Sequence, residues 1–392
     1  MRLAGEPYLR NAVRRRGVLA VLTTAWVAAV AQAAEPVRTY PPGRFEQGEL
    51  RYVGDVPLLV VAGSPAEMGR QQAALTGNAA RSLAALPTVL AKLMGIEESL
   101  PELVRRGRQL LPQFPPDHRT EFDAFVQQTG VREDLALTAN TFTDVYRGGC
   151  SSLIVAGDRS TTGGPLFGRN LDFPAIGALD RFILVVVHRP KQKRAFATVG
   201  YPMMFGCLSG MNDAGLAAAV HNVYQSADGA AIFDPKGVPY TLAFRRILEE
   251  CETVAEAEKL LRTMPRTTML NLAVCDRKTA GVLEMTPKSV AFRGLEGGLC
   301  ACTNHFRTPG LAAATRCRRY AMLSGPARDR LAIEDVAARL HAANQGALTV
   351  QTMIFEPKTL VLHLATGIPP TSARPLSKLE LAEPLGVKPA AK

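Results

Sequence analysis

The chain has 392 residues, 47% of them hydrophobic and 21% charged, with a formal net charge of +11. That is the composition of an ordinary globular protein, long enough for one large domain or two modest ones. The basic residues are scattered, as at Arg105, Arg106 and Arg108 and over residues 316–319, without interleaved aromatics, so the charge describes a solvated surface and argues against nucleic acid as a partner.

The first 33 residues stand apart. Arg10, Arg14, Arg15 and Arg16 precede an uncharged stretch at residues 18–30, and Ala31-Gln32-Ala33 fits the small-x-small cleavage rule. This is the pattern of a secretory signal peptide, and it predicts a secreted or periplasmic protein matured near Ala33. The 13-residue apolar stretch is shorter than the roughly 18 residues a membrane span requires, and no stable span is expected later. Without the five arginines and one glutamate of this segment, 41 basic residues face 34 acidic ones, a balance of +7.

Residues 34–57 are rich in Pro, Gly and charge and read as an extended lead-in to a short strand at 58–61. Ser64-Pro65-Ala66-Glu67 sets an N-cap serine, a proline at the first helical position and a glutamate three residues on, which predicts a helix to about residue 86. Ser99-Leu100-Pro101-Glu102 repeats the device, and helical patterns cover 119–128 and 133–145. The chain up to Gly149 is therefore expected to be mainly helical.

The texture changes at Arg147-Gly148-Gly149-Cys150-Ser151-Ser152. Runs at 151–155, 182–188, 195–199 and 216–220 have strand composition and are parted by Gly, Asp and Asn turns. The glycine-rich 157–164 lacks the ending of a phosphate loop and reads as a hairpin turn. Helices are expected at 242–250, 254–264, 311–323 and 333–343, and strands at 269–275, 281–285, 352–355 and 359–364, before a proline-rich tail. Blocks of strands and blocks of helices, rather than strict alternation, predict an α+β fold of antiparallel sheets with helices packed against them.

Cys150 is the candidate nucleophile. A thiol with a cation (Arg169), an amide (Asn170) and a carboxylate (Asp172) shortly downstream is the stock of a nucleophilic site; the alternative is a buried cysteine opening an ordinary strand. Three other places carry polar groups at expected strand or helix ends: Asn222 after the Asn212-Asp213-Ala214-Gly215 turn, Cys302-Thr303-Asn304-His305-Phe306, and Thr315-Arg316. Tyr201-Pro202-Met203-Met204-Phe205 either lines an acyl pocket or forms a core strand. The seven cysteines are an odd number, leaving at least one thiol without an intramolecular partner. No cysteine or histidine pair has metal-ligand spacing, and neither metal nor cofactor is expected.

Gly149-Cys150-Ser151-Ser152, Gly168-Arg169-Asn170-x-Asp172, Gly210-Met211-Asn212-x-x-Gly215-Leu216, His221-Asn222, Thr303-Asn304-His305-Phe306 and Arg316 follow one another in the order of a known family. Through them the chain resembles the N-terminal nucleophile (Ntn) hydrolases of the isopenicillin N acyltransferase branch, and more distantly choloylglycine hydrolase and acid ceramidase. Gly63-Ser64-Pro65-Ala66-Glu67-Met68-Gly69 resembles that branch's segment ahead of the cut. The resemblance implies an αββα four-layer sandwich, two antiparallel sheets between helical layers. It divides the chain into a signal peptide (1–33), a mainly helical pre-cleavage segment (34–149) and a catalytic region (150–392).

It also implies a chemistry. The precursor cuts itself between Gly149 and Cys150, the side-chain-free Gly149 allowing the bent backbone that the attack needs. The cut frees an α-amine, whose pKa of about 7.7–8.0 suits a general base at neutral pH. Cys150 is then nucleophile and base, Arg169 favours the thiolate, and Asp172 orients the thiol or amine. Asn222 and Asn304 donate to the oxyanion and hold the amine, and Arg316 anchors the group through a carboxylate. Tyr201, Met203, Phe205 and His305 are candidate pocket residues. The cleaved segment is expected to stay bound, because its capped helices have apolar faces to bury. Water as acceptor makes an amidohydrolase of linear amides such as N-acyl amino acids, peptides or penicillins; an amine acceptor makes an acyltransferase. Export favours hydrolysis, since acyl-coenzyme A donors are not expected outside the cytoplasm. A ceramide-like lipid amidase and an inactive binding protein are the remaining readings, the last opposed by every expected polar position being filled.

Overall fold

The computed structural model describes residues 38–94, 99–145, 148–173 and 179–387; the signal-peptide segment and Arg147 lie outside them. The Ser64 cap forms as its sequence predicts. Its N–H and hydroxyl donate to Glu67 Oε2 at 2.6 and 2.7 Å, opening α1 (Pro65–Met94), which is followed by α2 (Ser99–Leu110), α3 (Pro116–Thr129) and α4 (Glu133–Val145). The expected lead-in is more ordered than its composition suggests. It forms β1 (Gly43–Phe45), β2 (Gly48–Val53) and β3 (Val56–Gly63), paired as an antiparallel meander.

The second half supplies β4 (Gly149–Val155), β5 (Leu166–Asp172), β6 (Leu184–Pro190), β7 (Phe196–Gly200), β8 (Ser209–Asn212) and β9 (Ala217–Asn222). Helices α5 (Tyr240–Glu250) and α6 (Val254–Thr263) lead to β10 (Leu270–Cys275), β11 (Ala280–Met285), β12 (Val290–Gly294) and β13 (Leu299–Cys302). Then come α7 (Arg318–Ser324), α8 (Ile333–Ala342), β14 (Thr349–Glu356), β15 (Val361–Ala365) and β16 (Ser377–Glu380). The helix expected from residue 311 begins only at Arg318, because Gly310 takes a left-handed conformation and Leu311 closes a turn onto Thr308.

Among the described residues these strands form a ten-stranded sheet, β1-β2-β3-β6-β7-β8-β9-β10-β11-β12, and a six-stranded sheet, β13-β4-β5-β14-β15-β16. Helical layers flank the two sheets, the α+β architecture of an Ntn hydrolase. One pairing departs from an all-antiparallel arrangement: β3 runs parallel to β6, with Leu58 opposite Val185 and Gly63 opposite Pro190. A parallel neighbour requires a long crossover, and α1–α4 lie within it. Alternation along β4 sends Ile154 into the core shared with the ten-stranded sheet, and Leu153 and Val155 towards Leu323, Val336 and Leu340 of α7 and α8. Gly168 permits that helix contact, since a Cβ there would meet Val336 Cγ1 at 2.6 Å. The described residues from Tyr40 onward form one compact unit; of Met1–Thr39 only residues 38 and 39 are described. No described helix is long and apolar enough to cross a membrane. All seven cysteines are unpaired.

The segment ahead of Gly149 is bound to the rest by more than apolar faces. Arg245 of α5, fully buried, donates to Glu121 of α3 at 2.5 Å, to Glu249 at 2.7 Å and to the Phe205 carbonyl at 2.9 Å. His118 of α3 meets Glu249 at 3.0 Å, and His188 of β6 stands 3.5 Å from Glu121. Burial alone would raise the Glu121 carboxyl, but Arg245 and His188 outweigh it and hold it at about 2.

Asp144, at the end of α4, plays a similar bridging part. Its Oδ1 accepts the Tyr240 N–H that opens α5 (3.0 Å) and the Thr267 hydroxyl (2.5 Å), while Oδ2 has no partner. Burial pushes its carboxyl from 3.8 up to about 7. A carboxyl raised in the folded state takes up protons on folding, so its favourable effect is present below the unfolded value and is lost as pH rises through about 7. Asp144→Asn keeps the Oδ1 acceptor without the charge. It is expected to be more stable than wild type at pH 9, by on the order of 1–4 kcal/mol, and so to melt higher there, and to differ little at pH 4. Thermal melts at the two pH values measure this.

Candidate active site

The hairpin between β4 and β5 sets Gly149 opposite Asp172, Cys150 opposite Leu171 and Ser152 opposite Arg169. Because side chains alternate, Cys150 and Arg169 share the face between the sheets, while Asp172 points to the side of α7 and α8. Arg169 is fully buried. Its Nη2 donates to Cys150 Sγ at 3.3 Å and its Nη1 to the Leu208 carbonyl at 2.7 Å; no carboxylate pairs with it among the described residues. Burial nevertheless pushes the Cys150 thiol above its ordinary range, against the pull of Arg169 and of the Asp172 backbone N–H.

Asn304, just past β13, gathers the polar groups around the junction. Its Oδ1 accepts the Cys150 N–H at 3.0 Å and Arg319 Nη2 at 2.9 Å. Its Nδ2 donates to the Asn222 carbonyl at 2.8 Å and to the Gly148 carbonyl at 3.3 Å. The Asn222 side chain, at the end of β9, donates to the Thr143 carbonyl at 3.2 Å. Tyr224 Oη donates to the Gly148 carbonyl at 2.8 Å.

The geometry corrects several expectations. The arginine at the junction is Arg319, not Arg316: Arg319 Nη1 donates to the Cys150 carbonyl at 2.5 Å and stands 3.5 Å from Asp172 Oδ2, whereas Arg316 is exposed. With the helix starting at Arg318, residue 319 lies on its first turn facing β4, and residue 316 precedes it. The Asp172 carboxylate makes no hydrogen bond to the thiol or the amide; it accepts from Gln345 Nε2 and Thr349 Oγ1, each at 2.6 Å, and its charge pushes the Cys150 thiol up while its backbone N–H pulls it down. Gly149 is paired in the strand and has no left-handed φ. A Cβ there would stand 2.3 Å from Gln345 Nε2, so any side chain would displace the carboxamide that Gln345 extends to Asp172.

The pocket residues separate. Phe205 packs edge-on against Phe122 and Phe125 of α3, with centroids 5.9 and 5.1 Å away. Asn140 of α4 bonds both the Met203 carbonyl and the Phe205 N–H, each at 2.8 Å. Met203 and Phe205 therefore anchor the first segment. His305 is partly exposed, with its carbonyl held by Asn271 at 2.9 Å. Tyr201 is buried with an unpartnered hydroxyl. Sequence reasoning missed Arg319, Gln345, Thr349 and Tyr224. Arg319 was within reach through helical periodicity from the true helix start; Gln345 and Thr349 carry no local signal.

The family model for acyl-coenzyme A:6-aminopenicillanic acid acyl-transferase matches residues 159–359. The match starts after Cys150 and takes in Arg169, Asp172, Asn222, Asn304 and Arg319. No curated protein matches the chain. Among solved structures, an N-acylethanolamine-hydrolyzing acid amidase ortholog from Caenorhabditis elegans is similar with a TM-score of 0.41 and 15% identity, over 59% of this chain and 100% of that one. A variant of conjugated bile acid hydrolase from Clostridium perfringens gives 0.41 and 15%, over 61% and 95%. Penicillin V acylase from Agrobacterium tumefaciens gives 0.36 and 14%, over 56% and 83%.

Proposed function

The chain belongs to the acyl-coenzyme A:6-aminopenicillanic acid acyl-transferase family, of the Ntn-hydrolase superfamily, and on that premise we propose an exported enzyme that cuts itself before Cys150 and then hydrolyses a linear amide through an acyl-Cys150 thioester. One observation carries the reading. The Cys150 N–H is held by Asn304 while its sulfur accepts from Arg169, so both atoms needed by an N-terminal nucleophile are positioned before any cut.

In the first step Cys150 Sγ bonds to the Gly149 carbonyl carbon, the C–N bond breaks, and the thiol proton passes to the departing nitrogen. Water then cleaves the thioester, leaving a Gly149 carboxylate and a Cys150 α-amine. That amine, retained at Asn304, takes the thiol proton when the sulfur attacks a substrate amide and returns it to the leaving amine. A second water attacks the acyl-thioester to release the acid. The Asn222 amide donates to the Thr143 carbonyl in this structure, so it has to rotate off that carbonyl to reach the oxyanion. Such donors are worth about 10²–10³ in rate.

Intact-mass measurement of the purified protein, with N-terminal sequencing, is expected to show two associated polypeptides, the second starting at Cys150. Assay against N-acyl amino acids, penicillins and bile-salt conjugates is expected to show release of the acid. An uncut chain inactive on every amide would refute the proposal. Arg319→Ala is expected to lower kcat/KM about 10²-fold, because Asn304 and the Cys150 carbonyl lose their shared donor. Arg316→Ala, on the surface, is expected to stay within about twofold. Initial rates of the two variants side by side decide which arginine serves the site.

A further inference from the structure

Gln351 of β14 stands opposite Leu171, and Leu171 stands opposite Cys150. Directly paired residues project to the same face, so the three form one row, with ends about 10 Å apart across two strand spacings. Gln351 is 0% exposed, yet neither polar atom of its carboxamide has a hydrogen-bond partner. Tyr201, just past β7 in the facing sheet, is 9% exposed and its Oη is also unpartnered, although it lies near enough to Gln351 for the amide to act on the phenol. Asp180 Oδ1 is a fourth buried atom without a partner, and the Asp180 charge also acts on Tyr201. A buried carboxamide with every donor and acceptor unused is costly unless something outside the chain satisfies it. Between it and Cys150 the row is apolar: Leu171 stands in line, and Met353 of the next row is beside it in the same buried cluster.

We propose that this row is the acyl subsite of the reaction and that Gln351 and Tyr201 bind a neutral hydroxyl at the far end of a medium-length acyl chain. The inference rests on Cys150 being the nucleophile. The departing amine needs a route to solvent, which the side of Gly148 offers, where Tyr224 is 49% exposed; the acyl group stays on the sulfur and takes the buried side. About eight carbon–carbon bonds, each advancing roughly 1.25 Å, span the row. The Asp180 carboxylate disfavours an anionic terminus, and an amide with a phenol suits a group that both donates and accepts.

The test uses ω-hydroxyoctanoyl and octanoyl amides of one amine, assayed for kcat/KM, and the two free acids, titrated calorimetrically into the purified wild-type protein. Wild type is expected to favour the hydroxylated member about tenfold or more in both measurements. Gln351→Leu and Tyr201→Phe, each confirmed folded by its thermal melt, are expected to bring the ratio to about one. Equal binding and turnover of both members by wild type, or a preference unchanged in both variants, overturns the proposal and assigns the unused atoms to trapped water. Turnover of both amides without a hydroxyl preference overturns the subsite and leaves the amide chemistry standing. A hydroxyl preference in binding, with neither amide turned over, supports the polar site and counts against the amide chemistry.

Discussion

Replacing Cys150 with alanine is expected to leave the polypeptide uncut and to lower turnover of any amide the wild type cleaves by about 10⁵-fold or more. The substitution removes the atom to which the acyl group is transferred in both the self-cleavage and the substrate reaction, so the two losses appear together. The geometry around it is otherwise preserved: Asn304 still accepts the residue 150 N–H, and Arg319 still donates to the residue 150 carbonyl, because both contacts are to backbone. Cys207 is the internal control. It is also buried and feels Arg169, with its thiol pushed up to about 12 by burial, but no hydrogen bond joins its thiol to Asn304 or to the Gly149–Cys150 peptide among the described residues. Cys207→Ala is expected to cut and turn over normally. Intact mass and initial rates of both variants decide the matter, and two fragments meeting at residue 150 in Cys150→Ala would place the cleavage chemistry elsewhere.

Arg245→Ala is expected to destabilise the protein by about 3–5 kcal/mol, the cost of stranding a buried charge. The guanidinium faces Glu121 and Glu249, all three side chains at most 1% exposed. Without it, two carboxylates remain in the interior with, among the described residues, His118, His188 and Lys193 as the cationic or titratable partners beside them. Glu121 belongs to the segment before Gly149 and Arg245 to the region after it, so a cut chain is expected to lose its first segment on gel filtration where wild type holds it. The pH sign follows from Glu121. Its carboxyl is depressed in the folded state, so its contribution is present above the ordinary 4.5 and is lost as pH falls through about 2. Combining Arg245→Met with Glu121→Gln and Glu249→Gln removes the charges together and is expected to recover most of the loss. Urea unfolding midpoints of the single and triple variants check both statements. A single variant as stable as wild type would show the cluster to be dispensable.

Local patterns in the chain are read without the fold. The Ser64–Glu67 cap, the helix at 133–145 and the turn closed by Gly215 N–H onto the Asn212 carbonyl at 2.9 Å all depend on neighbours within a few residues, where spacing and stereochemistry suffice. The motif order from Cys150 to Asn304 is equally a property of the sequence, and alternation along β4 places Cys150 and Ser152 on one face. What the sequence left undetermined is how distant stretches meet. The parallel union of β3 with β6 has no local signature, since backbone groups pair with any partner brought into register. The start of α7 at Arg318 decides that Arg319 reaches Asn304 and the Cys150 carbonyl, a three-residue shift within a run of similar residues. Met203 and Phe205 have the composition of a pocket wall, and packing under α3 and α4 makes them core. The approach of Gln345 Nε2 to Gly149 comes from residues almost two hundred positions apart and has no local signal. Convergence of side chains separated by 154 to 173 residues, as for Cys150 with Asn304 and Asp172 with Gln345, is set by sheet pairing and helix docking, to which no local propensity contributes.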